Sequence, residues 1–173
     1  MNIKFLMKQT EMGTIPENWE LLKFGDLLSE PTRNGIYKPK NFHGRGVKII
    51  NMGELFGYPR IAQQPMKRID LTSSEVERFG VRKGDLLFAR RSLVAEGAGK
   101  CSIVDQNGEA RAFESSIIRA RLDFEKCDPE FYFYFFRSQC GLHQLDTIRR
   151  QVAVAGITGS DLITLTVPVP PLS

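Results

Sequence analysis

The residues able to do chemistry concentrate in three polar stretches of the 173-residue chain. Arg33, Tyr37, Lys38 and Lys40 lie in the first, Arg90, Arg91, Ser92 and Lys100 in the second, and Arg149, Arg150, Gln151 and Thr158 in the third. Arginine pairs bidentately with guanine, glutamine with adenine, and lysine or serine with phosphate, so these residue types suit both reading and anchoring on nucleic acid. The plainer reading of any one such charge is that it solvates a loop. The aromatic run Phe131 to Phe136 resembles a base-stacking platform in composition, but Phe131 with Phe135 and Tyr132 with Phe136 fall at helical spacing and suit core packing.

Bond-making chemistry finds no comparable cluster. His43 and His143 are far apart in the chain, with no metal-ligand or nucleophile pattern beside either. Gly97-Ala98-Gly99-Lys100 approaches a phosphate loop, yet Val94 stands where the first glycine belongs and Cys101 where a metal-binding hydroxyl belongs. No acidic residue lies two positions before a lysine, as Mg²⁺-dependent nucleases usually require. Pro170-Pro171 follows Val169 rather than the Asn or Asp of an adenine methyltransferase motif, and no glycine-rich cofactor turn follows a strand. Cys101, Cys127 and Cys140 are odd in number and widely spaced, which fits reduced thiols rather than a disulfide framework or a zinc site.

The elements that must position these stretches are legible in part. Leu21 to Leu28 reads as a strand followed by one helical turn, and Pro31 to Arg45 as a basic surface loop. Val47 to Asn51 is a β-branched strand ended by an Asn-Met-Gly turn. Thr72-Ser73-Ser74-Glu75 is a capping box opening a short helix that stops near Gly80. Leu86 to Ala89 is a buried strand emptying into Arg90-Arg91, with further strands at Cys101 to Asp105 and Ser116 to Leu122. Asp128-Pro129-Glu130 caps a buried helix that Gly141 breaks or bends. Leu165, Val167 and Val169 alternate with Thr164, Thr166 and Pro168, the period of a strand, which Pro170-Pro171 stops.

The length suits a single domain with one core, and 42% hydrophobic with 25% charged residues is ordinary for a globular protein. A net charge of +4 favours polyanionic partners without requiring one. No apolar stretch approaches the ~18 residues that span a bilayer, and Met1 to Met7 is too short for a secretory signal, so a cytoplasmic location without membrane association is expected. The expected architecture is α+β: one globular domain over residues 1–173 with a mixed, twisted β-sheet and two or three helices.

Four segments, in order, resemble the target-recognition domain of the specificity subunit of Type I restriction-modification systems. They are Lys8 to Glu20, which contains Ile15-Pro16-Glu17-Asn18-Trp19; Val81 to Arg91, which contains Lys83-Gly84-Asp85-Leu86-Leu87-Phe88-Ala89; Asp128 to Ser138; and Val167 to Leu172. The resemblance covers nearly the whole chain from Lys8. It implies a non-catalytic domain that reads one half of a split double-stranded DNA target. Methyltransferase (modification) subunits would add a methyl group from S-adenosylmethionine, and a separate restriction subunit would use ATP and Mg²⁺ to cleave, with no cofactor on this chain. Members of the family continue past Pro-Pro-Leu into a long spacer helix, whereas this chain stops at Ser173, so it looks like half a subunit. A second recognition domain, or a dimer of half-subunits, would complete the target.

On this reading the loops around Arg33 to Lys40, Arg90 to Lys100 and Arg149 to Thr158 converge on one face. Two rivals stay open from the residues alone, a protein-interaction module and a DNA hydrolase of unrecognised type.

Overall fold

The computed structural model describes residues 6–151 and 153–172. Its centre is a five-stranded sheet in the spatial order Arg33–Asn34, Ile117–Ala120, Leu86–Ala89, Cys101–Val104 and Arg60–Ile61. The pairs are antiparallel except the last, which is parallel. Beside it lies a three-stranded sheet in which His43–Ile50 pairs in parallel with Arg111–Phe113 and antiparallel with Arg68–Ile69. Among the described residues the helices are α1 (Met52–Gly57), α2 (Ser73–Phe79), α3 (Pro129–Phe135), α4 (Gln139–Ile148) and α5 (Gly159–Leu162). The mixed α+β class therefore stands, and the two or three helices expected become five because α1 and α5 are too short to show a 3.6-residue period.

The continuous apolar run Leu86-Leu87-Phe88-Ala89 is explained by burial on both faces. Leu86 and Phe88 enter one core with Ile118, Ala120 and the α3 aromatics, while Leu87 and Ala89 enter a second with Ile50, Leu55 and Phe113. A strand covered on both sides has no reason to alternate with polar residues. In the first core Phe24, Phe88 and Phe136 meet edge to face, with centroids 4.9 to 6.2 Å apart. Each such pair adds about 0.5–1.5 kcal/mol beyond area burial. Core packing was thus the right reading of Tyr132, Phe133, Phe135 and Phe136, whereas Tyr134 is exposed.

Local signals act as their chemistry requires. Thr72 Oγ1 accepts from the Glu75 amide at 3.3 Å, and the Thr72 amide donates to Glu75 Oε2 at 2.9 Å, closing the capping box of α2. Asp128 Oδ1 accepts from the Glu130 amide at 2.9 Å and starts α3. Trp19 of the opening motif packs edge-on against Phe131 at 5.4 Å. The closing strand Thr166–Val169 pairs antiparallel with Glu20–Lys23, the strand that follows Trp19.

Four local expectations are corrected. The Asn-Met-Gly segment is not a turn: Asn51 caps α1, and its amide donates to Glu54 Oε2 at 2.8 Å. Gly141 does not break a helix. The interruption lies at Phe136 to Ser138, and Ser138 caps α4. Pro31 to Arg45 is not all loop, because Arg33–Asn34 adds an edge strand and His43 begins a strand. Pro168, placed on the polar face of the last strand, is buried and its carbonyl accepts the Tyr132 hydroxyl at 2.9 Å.

Candidate nucleic-acid interface

Lys83-Gly84-Asp85 sets the base of the second polar stretch. Gly84 has φ +89°, and a Cβ there would meet the Phe124 ring at 2.6 Å, so glycine is required at this bend. Asp85 then turns inward, 1% exposed, and accepts both Arg121 Nε at 2.8 Å and Arg121 Nη2 at 2.7 Å. Arg121 Nη1 and Arg119 continue to Glu30, which makes a partly buried charge network under the sheet. This network holds the start of Leu86–Ala89, whose far end delivers Arg90 and Arg91.

Beyond Ala89, the strand Arg91–Ser92 pairs antiparallel with Ala155–Gly156. The Ile157 amide donates to the Arg90 carbonyl at 3.0 Å, and Arg149 Nε donates to the Ala98 carbonyl at 3.1 Å. The second and third stretches therefore form one folded unit. With Asn34 they wall a cleft of about 440 Å³ lined by Asn34, Arg90, Arg91, Arg150, Val154 and Thr158, together with Gly156 and Ile157.

The electrostatics of this cleft are unbalanced. Arg91 is exposed, and neither it nor Arg90 forms an ion pair among the described residues. Arg90 Nε is buried without a hydrogen-bond partner. Burial, and then the charge of Arg91, push the Arg90 pKa down from its ordinary value, yet a guanidinium keeps its proton. Two adjacent cations thus stand at the cleft without a counter-charge among the described residues. An anion or an acceptor pair such as guanine O6 and N7 would satisfy them.

The remaining candidates divide. Arg150 lines the cleft but pairs with Asp161 at 2.9 Å, and Thr158 both caps α5 and donates to Asp161 Oδ2 at 2.8 Å. Gln151 is exposed beside them. Arg149 is engaged with Ala98 and Asp146, its side chain only 7% exposed, and Lys100 donates to the Phe56 carbonyl at 3.0 Å over that residue's ring. Both serve the scaffold. Ser92 Oγ accepts from the Val94 amide at 3.2 Å and lines a neighbouring recess.

From the first stretch the structure brings Asn34 to the cleft in place of its neighbours. Arg33 is in register with Arg119 and Asn34 with Ile118, so the two residues point to opposite faces of the sheet. Lys38 turns to Glu75 at 2.8 Å and stacks on Phe42, while Tyr37, 79% exposed, and Lys40 lie outside the cleft lining. Sequence reading missed Asn34 and Val154, because a two-residue edge strand carries no periodicity to show which of Arg33 and Asn34 faces the cleft. Among the described residues no three His, Cys, Asp or Glu side chains group as metal ligands, and no helix is long and apolar enough to cross a membrane.

The fold is shared with solved chains of Type I restriction-modification systems. Among solved structures, the HsdS subunit from Thermoanaerobacter tengcongensis superposes with a TM-score of 0.65 at 16% identity, over 95% of this chain and 36% of that one. A chain from a study of assembly and conformational transition of the type I R-M system gives the same TM-score, 0.65, over 97% of this chain and 37% of its own. In sequence, the chain is similar to the EcoKI specificity subunit of Escherichia coli, 27% identical over 92% of this chain and 36% of the relative. It is equally similar, at 27% identity over 95% of this chain and 39% of the relative, to the putative MjaX specificity subunit of Methanocaldococcus jannaschii. The chain thus spans little more than a third of the curated relatives' length. No protein-family model matches it.

Proposed function

We propose that this chain is a sequence-reading DNA-binding domain without catalytic chemistry of its own, which recognises one half of a bipartite double-stranded target. The reading rests on the unpaired guanidinium groups of Arg90 and Arg91 at a cleft assembled from three separate segments. Arg90 and Arg91 read base edges in the major groove, Arg150 contacts phosphate, and Asn34 and Gln151 offer amide groups suited to adenine. Arg33, Tyr37 and Lys40 are not among the residues that line this cleft.

In this role the domain supplies address rather than chemistry. Methyl transfer from S-adenosylmethionine and ATP- and Mg²⁺-dependent cleavage belong to modification and restriction subunits with which it assembles in the cytoplasm. A second recognition domain, or a second copy of the chain, would read the other half of the target.

The test is selection of bound duplexes from a random-sequence pool by the purified chain, followed by titration at several salt concentrations. A recovered consensus of a few base pairs, with affinity that falls linearly in log[salt], supports the reading. Recovery of no consensus together with salt-independent binding overturns it.

A further inference from the structure

Immediately after the cationic pair, the chain exposes apolar side chains. Leu93 is 90% exposed and Val94 60% exposed, and Val154 reaches the surface just before the opposing strand Ala155–Gly156. A recess of about 410 Å³ is lined by these three together with Met52 and Phe56. Arg91 and Val154 line both this recess and the basic cleft, so one wall is common to the two. Leu93, Val94 and Val154 thus cluster around one concavity beside the cationic pair rather than standing singly.

The question is which occupant offers an apolar group beside an acceptor pair for arginine. The major groove does so in one way. Guanine presents O6 and N7, which a guanidinium meets bidentately, and thymine C5-methyl is the apolar group on the base edges. Both project into the same groove, and successive base pairs are about 3.4 Å apart, a spacing that one arginine and its neighbouring leucine span.

We infer that the Leu93–Val94 recess receives the C5-methyl of a thymine lying within about two base pairs of a guanine read by Arg91. This rests on the DNA-reading proposal and sharpens it: Leu93 and Val94 determine specificity by packing, and the half-target contains both a guanine and a thymine at this place. The charge of Arg91 on the shared wall favours DNA over a neutral protein surface as the occupant.

The test replaces each thymine of the selected duplex in turn by uracil, which differs only in lacking the methyl group. At one position binding by the intact chain weakens about fourfold, the worth of one buried methyl group. Leu93→Ala, at an exposed position that leaves folding intact, binds the thymine duplex more weakly and no longer distinguishes thymine from uracil there. If no thymine shows this sensitivity while Arg91→Ala still weakens binding, the recess does not read DNA and this inference is wrong although the DNA-reading proposal holds. If Arg91→Ala and Leu93→Ala both bind as the parent does, the broader proposal fails with it.

Discussion

Arg121 grips Asp85 through two parallel hydrogen bonds, Nε to Oδ1 at 2.8 Å and Nη2 to Oδ2 at 2.7 Å, and Asp85 also accepts the Arg82 amide at 2.8 Å. The Lys-Gly-Asp motif is therefore a structural clamp beneath the strand that carries Arg90 and Arg91. Removing one partner of a buried pair costs about 3–5 kcal/mol when the other charge is left unpaired, and because Arg121 keeps Glu30 at 3.2 Å the loss here falls at the low end of that range. Asp85→Asn, nearly isosteric, is expected to lower stability by roughly that amount, read as a drop in the urea midpoint with the slope unchanged. An unchanged midpoint would show that the clamp adds nothing.

Gly141→Ala should reverse the usual effect of such a change. In an exposed helix interior, alanine improves on glycine by about 1 kcal/mol. Here the added Cβ would stand 2.0 Å from the Phe135 carbonyl oxygen, because α4 is packed against the end of α3. The expected result is destabilisation by at least about 1–3 kcal/mol, the range for overpacking. A higher melting temperature in the variant would contradict this.

Arg91 and Arg45 are both exposed arginines with opposite expectations. Arg45 is already paired with Asp70 at 2.9 Å, whereas Arg91 has no ion-pair partner among the described residues. Arg91→Ala should weaken DNA binding by about 1–3 kcal/mol, concentrated at one base pair, while Arg45→Ala leaves affinity unchanged. Anisotropy titrations with singly substituted duplexes measure both. A uniform loss across all sequences would reassign Arg91 to phosphate contact.

Acid should weaken the fold through Glu130. Its hydrogen bonds from Arg60, at 2.6 and 2.9 Å, hold the carboxyl below its ordinary value of 4.5. Folding thus favours the ionised form. The stabilisation is fully present above pH 4.5 and is lost as the pH falls through the lowered folded value. Melting temperature measured from pH 6 to pH 3 is expected to fall at the acid end more steeply in the parent than in Glu130→Gln, where this contribution is absent. Parallel curves would exclude Glu130 as a source.

Thiol labelling should find one fast cysteine. Burial pushes the Cys127 thiol up to about 12, with Asp123 and Asp128 adding to the rise, and burial raises Cys101 as well. Cys140 is exposed on α4. Only the thiolate reacts, so a native-state assay near neutral pH should titrate Cys140 quickly and the other two only on unfolding. Three rapidly reacting thiols would mean that the core is open.

Much of the scaffold could be read from the chain because its determinants are local. Thr72 and Glu75, Asp128 and Pro129, and the unbroken run Leu86 to Ala89 state their roles through caps, fixed φ and burial on both faces, none of which depends on distant partners. The strands Arg33–Asn34 and Arg60–Ile61 escaped notice because two residues carry no periodicity, and they exist through the neighbours they pair with. The site divides along the same line. Residue type marked Arg90, Arg91 and Arg150 as suited to DNA, but type alone cannot separate a free guanidinium from one already spent. Arg149 goes to Asp146, Lys38 to Glu75 and Lys100 to Phe56, and each of those partners is assigned by packing. Which cations remain available, and that Asn34 rather than Arg33 faces them, followed only once the strand pairs had fixed where every side chain points.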